Sequence, residues 1–93
     1  MKYDIIISER AYKSLFQSIE WYNEQSKGLG KRFYSKIDKT IKVISKNPYA
    51  FEIKFDFFRG ATVDVFPYII MYFIQEPDKI VIANIFHTSR KPE

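Results

Sequence analysis

The sequence contains no cysteine and only one histidine, His87. Without thiols the chain can form neither a disulfide framework nor a thiolate metal site, and a single imidazole argues against an all-protein zinc site. Two of the three glycines, Gly28 and Gly30, lie between predicted helices rather than in a phosphate-binding loop. We therefore expect neither a metal nor a cofactor.

Long hydrophobic runs are also absent. The apolar run near the N-terminus is cut off by Ser8, Glu9 and Arg10, and the longest apolar stretch, residues 65–74, contains Pro67. Both runs are shorter than the roughly 20 residues that a membrane helix requires, and the first is too short for a signal peptide. We expect no membrane contact and a cytoplasmic location, with which the lack of cysteine is compatible.

Apolar and aromatic residues, in contrast, are plentiful. Hydrophobic residues make up 46% of the 93-residue chain, and aromatic residues 18%. This composition excludes a disordered chain, because it is sufficient to bury a packed core. The length suits one small core and leaves no room for a second, so we predict a single domain over residues 1–93.

Positive charge is concentrated in one segment. Residues 27–46 contain seven basic residues and one acidic residue, whereas the net charge of the whole chain is only +4. The rest of the chain therefore carries about −2. Such a local positive field attracts anionic partners, including nucleic acid, the ribosome or an acidic peptide. A solvated lysine face on a surface helix would produce the same pattern.

Two amphipathic helices are predicted by apolar residues that recur at steps of four, four and three. The first follows Ser8, a residue type favoured at N-caps, and ends near residues 25–26. The second begins near residues 29–31 and ends at Asn47 and Pro48, because proline disfavours helix in the residue before it. The two apolar sets are Ala11, Leu15, Ile19 and Tyr22, followed by Phe33, Ile37, Ile41 and Ile44.

The remaining elements are predicted strands. Residues 3–7 are rich in β-branched side chains, residues 51–57 and 61–65 alternate between apolar and polar, and residues 68–74 and 80–86 are apolar almost throughout. The order indicates an α+β two-layer fold: an N-terminal strand, a helical hairpin, and a mainly antiparallel sheet of three to four strands.

The strand at residues 68–74 is apolar on both faces, although one helical hairpin can cover only one face of a sheet. An uncovered apolar face favours a partner protein; cover by the loop at residues 45–58 or by a curled sheet edge is the alternative. The two sets of side chains that could meet the partner are Tyr68, Ile70 and Tyr72 on one face and Ile69, Met71 and Phe73 on the other.

Three residues could form a minimal phosphodiester-cleaving set: Arg59, His87 and Arg90. Histidine transfers protons near neutral pH, and arginine can grip phosphate bidentately. The alternative is structural, with the histidine as a hydrogen-bonding residue at a strand end and the arginines serving a carboxylate or a carbonyl.

Several short motifs follow one another along nearly the whole chain. They are Ser8-Glu9-Arg10-Ala11, Trp21-Tyr22, Gly28-Leu29-Gly30, Phe33, Asn47-Pro48, Arg59, Phe66-Pro67-Tyr68, Tyr72 and the tail from His87 through Arg90 to Pro92. Taken in this order, they resemble the ParE branch of the RelE/ParE toxins, the toxin halves of bacterial type II toxin–antitoxin modules.

This resemblance implies the RelE-like fold, a cognate antitoxin that wraps the chain into an oligomeric complex, and an essential target. For ParE-type members the target is DNA gyrase, and for RelE-type members it is mRNA cut on the ribosome. The antitoxin would contact the two sets on residues 68–73. The residues expected to contact the target are Lys31, Lys39, Lys42, Arg90 and Lys91.

Departures from the family pattern favour gyrase inhibition by binding over nuclease chemistry. Many members have a basic residue directly after Phe66-Pro67-Tyr68, where this chain has Ile69. Residues 48–93 carry five basic and six acidic residues, whereas a ribosome-dependent nuclease should present a cationic sheet to RNA. An endoribonuclease using Arg59, His87 and Arg90 and a non-toxic chain that acts in a repressor complex remain as alternatives.

Overall fold

The computed structural model describes residues 2–89 of the chain. A five-stranded sheet in the order β1-β5-β4-β3-β2 carries both helices on one face, which confirms the predicted α+β two-layer fold. In chain order the elements are β1 (Asp4–Ile7), α1 (Glu9–Gln25), α2 (Leu29–Lys46), β2 (Ile53–Phe55), β3 (Phe58–Thr62), β4 (Tyr68–Gln75) and β5 (Lys79–His87).

The sheet has one more strand than the three to four predicted, because the N-terminal strand joins it. β1 runs parallel to β5, with Ile5 opposite Ile80, and all other neighbouring strands are antiparallel. A parallel pair requires a long crossover between its strands. The helical hairpin and the following strands supply it, since they return the chain to the side of β1.

Two predicted strands are shorter or shifted. Within residues 51–57 only Ile53–Phe55 is a strand, because Asp56 has a φ of 54° and turns the chain into β3. The strand predicted at residues 61–65 is instead Phe58–Thr62. Val65 has a φ of 75°, a left-handed conformation that a β-branched residue rarely adopts and that is incompatible with a strand.

Ser8 links the start of α1 to the sheet. Its Oγ accepts a hydrogen bond from the backbone N–H of Ala11 at 3.1 Å, as an N-cap should. The same hydroxyl donates to the carbonyl oxygen of Ala83 on β5 at 2.9 Å. The predicted cap is therefore confirmed, and it also determines where the helix begins relative to the central strands.

The turn between the helices is short. Ser26 ends α1, with its N–H donating to the carbonyl of Tyr22, and Gly28 precedes α2 with a φ of 84°. Glycine adopts this left-handed conformation without a steric penalty. The chain can therefore reverse within a few residues, and α1 and α2 pack as the predicted antiparallel hairpin.

Four aromatic side chains join the hairpin to the sheet. The Phe33 ring lies 5.0 Å from that of Tyr22, 5.2 Å from that of Phe66 and 4.7 Å from that of Tyr68, measured between centroids. The Tyr68 hydroxyl donates to Ser18 Oγ at 3.0 Å. Among the described residues no buried side-chain polar atom lacks a hydrogen-bond partner, so the core satisfies its polar groups while burying its rings.

Replacing Phe33 by alanine should remove the centre of this cluster. Because Phe33 is fully buried, we expect the free energy of unfolding to fall by about 3–5 kcal/mol, measured by denaturant titration. Phe16 is 57% exposed, so Phe16→Ala is the matched control and should change it by less than about 1 kcal/mol. Similar losses in the two variants would contradict the assigned core.

Candidate functional site

Alternate residues of β4 have opposite environments. Tyr68, Ile70 and Tyr72 are at most 3% exposed, because they face the helical hairpin. As side chains of the core they cannot form an open docking surface, so the expectation that both sets contact a partner is wrong for this set. Ile69 and Met71 point to the other face and remain partly exposed.

The face opposite the helices is lined by apolar side chains from four strands and a turn. Val81 and Phe86 of β5 lie opposite Phe73 and Ile69 of β4. The rings of Phe57 and Phe58 each lie within 5.7 Å of that of Phe73. We call this surface the open sheet face; it comprises Phe55, Phe57, Phe58, Ile69, Met71, Phe73, Val81 and Phe86.

Part of the open sheet face is covered by the edge of its own sheet. A Cβ on Gly60 would lie 3.1 Å from Cδ of Lys54 and 3.5 Å from Cε2 of Phe55, so the side chains of β2 rest directly on the glycine. The Phe55 ring reaches that of Phe86 at 5.7 Å. The curled edge thus covers one side of the face, whereas Phe57 on the other side stays 63% exposed.

Several members of the open sheet face were not among the predicted site residues. The period-two pattern of residues 51–57 contains Phe55 and Phe57, and the fully apolar residues 80–86 contain Val81 and Phe86. These signals mark apolar faces without saying which face is covered. Only the pairing of β4 with β3 and β5 brings them together with Met71.

The structure separates Arg59 from His87. Arg59 lies opposite Tyr72 on one side of β4, and His87 lies opposite Tyr68 on the other side. With about 3.3 Å per residue along a strand and about 4.8 Å between strands, their Cα atoms are roughly 16 Å apart. These two residues therefore do not form the predicted phosphodiester site, and the third member, Arg90, lies outside the described residues.

Arg59 instead holds a loop. Its Nη1 donates to the carbonyl oxygen of Phe51 at 2.6 Å and to that of Tyr49 at 3.3 Å, and its guanidinium carbon lies 5.2 Å from the Tyr49 ring centroid. The Tyr72 hydroxyl donates to the carbonyl of Pro48 in the same loop at 2.6 Å. The arginine thus serves carbonyl groups, which is the structural alternative raised by the sequence.

His87 ends β5 beside the core. Its ring centroid lies 5.3 Å from that of Tyr68 in an edge-on arrangement, and its Nδ1 accepts a hydrogen bond from the backbone N–H of Ser89 at 3.1 Å. The described residues therefore give this imidazole a ring contact and local contacts to Ser89.

The predicted target-binding lysines lie on α2. Lys31 and Lys39 are exposed, and neither forms an ion pair with a residue that the structure describes. Lys42 forms an ion pair with Asp38 at 2.9 Å, and this hydrogen bond raises the pKa of the lysine. The other two predicted residues, Arg90 and Lys91, lie outside the described range.

Within residues 2–89 there is no group of three or more histidine, cysteine, aspartate or glutamate side chains placed to hold a metal ion. No helix of this part of the chain is both long and apolar enough to cross a membrane.

Comparison with known proteins identifies the family. Residues 5–92 match the family model described as the ParE toxin of the type II toxin–antitoxin system, parDE. The chain belongs to the ParE toxin family. ParE proteins are the toxin components of such modules, which implies an antitoxin partner.

A solved structure has the same fold. A chain from the chromosomal ParDE TA system of P. aeruginosa superposes with a TM-score of 0.82, covering 95% of this chain and 98% of that one at 14% identity. At this identity the likeness concerns the fold. No curated protein sequence gives a significant match.

The environment of Tyr72 predicts a pH dependence. Burial raises the pKa of Tyr72 to about 12, partly offset by the charge of Arg59, whereas an unfolded tyrosine ionises near pH 10. Above pH 10 the unfolded chain therefore releases a proton that the folded protein keeps. The resulting stabilisation is complete below pH 10 and is lost as the pH rises toward 12.

We expect Tyr72→Phe to flatten this decline, although the lost hydrogen bond to Pro48 should cost about 1 kcal/mol at pH 7. Denaturant titrations of wild type and Tyr72→Phe at several pH values from about 8 to about 12 would measure how steeply the free energy of unfolding falls with pH in each protein. Identical slopes would contradict a buried, neutral hydroxyl.

Proposed function

We propose that this ParE-family chain is a toxin neutralised by a cognate antitoxin, and that the free toxin inhibits DNA gyrase by binding. An apolar segment of the antitoxin covers the open sheet face. The observation that carries the proposal is this face, on which phenylalanine side chains form two groups of ring contacts, Phe55 with Phe86 and Phe57 with Phe58 and Phe73.

The chemistry of the open sheet face supports a protein partner. Aromatic side chains and methionine are enriched at the cores of protein interfaces, where lysine and glutamate are depleted. The face combines Met71 with five phenylalanines, and its most exposed ring, Phe57, stacks on Phe58 at 4.3 Å. Contiguous apolar surfaces of this kind are characteristic of binding sites, because leaving them in water is costly.

Inhibition by binding is favoured over phosphodiester cleavage by the arrangement of the cations. A phosphoryl transition state needs charges and proton-transfer groups that converge within about 3 Å of the reacting atoms. Arg59 donates hydrogen bonds to the carbonyls of Tyr49 and Phe51. His87 and Arg59 lie on strands on opposite sides of β4. The predicted target contacts remain Lys31, Lys39 and Lys42 on α2, together with Arg90 and Lys91.

Introducing charge into the open sheet face should abolish antitoxin binding. In a Met71→Glu/Phe73→Glu variant two carboxylates would be buried against an apolar segment, so we expect Kd to rise at least about 100-fold. Isothermal titration with the cognate antitoxin measures it. The matched control is Val43→Glu on α2, 46% exposed on the other side of the molecule, which should bind like wild type.

Circular dichroism melting of both variants would establish that they are folded. Unchanged antitoxin affinity in a folded Met71→Glu/Phe73→Glu variant would place the antitoxin elsewhere and remove the observation on which the proposal depends.

If DNA gyrase is the target, DNA synthesis should stop before protein synthesis does. When the chain is induced alone in a bacterium, pulse-labelled DNA synthesis should collapse before protein synthesis, with a DNA-damage response. His87→Ala should be as toxic as wild type, since binding requires no proton transfer.

Early loss of translation with cleaved mRNA, abolished by His87→Ala, would instead identify a ribosome-dependent endoribonuclease. Undiminished growth would leave antitoxin binding in a repressor complex as the function of the chain.

A further inference from the structure

A row of cations follows the solvent side of α2. Arg32, Lys39 and Lys46 are spaced by seven residues, which is close to two helical turns, so their side chains lie along one line of the helix. At 1.5 Å per residue the row is about 21 Å long. We call it, together with the flanking cations, the α2 basic stripe; it comprises Lys31, Arg32, Lys39, Lys42 and Lys46, all of them exposed.

Most of this charge is not neutralised within residues 2–89, the part of the chain that the structure describes. Lys42 has Asp38 as its partner at 2.9 Å. Arg32, Lys39 and Lys46 form no ion pair with any residue that the structure describes, and neither does Lys31. The nearby Asp64 is engaged by Lys36, which lies outside the stripe, at 3.4 Å. Among the described residues, the stripe is thus a surface of like charges that is largely open to anionic groups from solution or from a partner.

The stripe and the open sheet face are on different sides of the molecule. α2 buries Phe33, Ile37 and Ile44 against the sheet, so its cations point away from the layer interface. The open sheet face lies on the far side of the sheet from both helices. A ligand on the stripe would therefore leave the open sheet face accessible.

The composition of the stripe suits a phosphate backbone better than a protein surface. Protein interface cores are depleted in lysine and built around aromatic anchors, whereas the stripe consists of lysine and arginine, with Ser35 and the exposed Val43 between them. Contacts to nucleic-acid phosphates need only positive charge at suitable spacing, and duplex DNA carries one phosphate per about 3.4 Å of each strand. A row about 21 Å long can therefore face several successive phosphates.

We propose that the α2 basic stripe binds the phosphate backbone of duplex nucleic acid without sequence specificity. The stripe shares Lys31 and Lys39 with the target contacts of the proposed function, but neither antitoxin nor gyrase enters the argument for a nucleic-acid ligand. It assigns to this side of the chain a ligand of defined chemistry, an extended polyphosphate strand, and predicts affinity that is electrostatic in origin.

The expected signature is a steep salt dependence. If all five cations neutralise phosphates, the plot of log K against log salt concentration should have a slope of about −4 to −5, since each neutralised phosphate contributes about −0.9. Fluorescence anisotropy of a labelled 20-base-pair duplex, titrated with the purified full chain at several salt concentrations, measures this slope. Parallel titrations with a DNA duplex and an RNA duplex show which of the two nucleic acids the stripe binds more tightly.

Two double variants with the same net charge provide the comparison. Arg32→Gln/Lys39→Gln removes two charges from the stripe, and Lys54→Gln/Lys79→Gln removes two from the sheet layer. We expect the first to weaken binding at least about tenfold and to reduce the slope by about 2, and the second to preserve the slope. All four residues are on the surface, and circular dichroism would verify that both variants are folded.

Three results would overturn the proposal. These are no binding by wild type at low salt, equal effects of the two double variants, and competition by polyglutamate as effective as competition by unlabelled duplex. The last result would assign the stripe to an acidic protein. Loss of DNA binding in Arg32→Gln/Lys39→Gln with retained antitoxin affinity would separate this surface from the open sheet face.

Discussion

The packing of Phe33 against Tyr22, Phe66 and Tyr68 determines how the two layers of this protein meet. The rings come from both helices, from the loop before β4 and from β4 itself. The same contacts therefore close the helical hairpin and hold it on the sheet. Aromatic side chains bury large apolar areas, so this cluster contributes strongly to the burial that offsets the conformational entropy of folding.

Because the hairpin is the only helical layer in the described chain, the sheet has one covered and one open face. The curl of β2 over Gly60 shields part of the open face with Phe55, but it leaves Phe57 in solvent. Residues 2–89 contain no further helix or strand that could bury these rings. Under the proposed function, the antitoxin would supply the missing layer.

The surroundings of a cationic side chain, rather than its chemical type, determine its role in this protein. Arg59 is bound to the carbonyls of Tyr49 and Phe51 and stabilises the loop that leads into β2. The cations of the α2 basic stripe have mostly no partner among the described residues and project a positive field into solution. Side chains of the same charge thus serve the fold in one place and are available for recognition in the other.

Local patterns in the sequence were sufficient to predict both helices, the Ser8 cap, the two-faced β4 and the toxin family. They could not show that β1 pairs with β5, that β2 curls over Gly60, or that Tyr72 rather than Met71 faces the hairpin. A period of two distinguishes the faces of a strand without saying which face is covered. The separation of Arg59 from His87 likewise depends on strand order and register, because pairings between residues far apart in the chain leave no local signal.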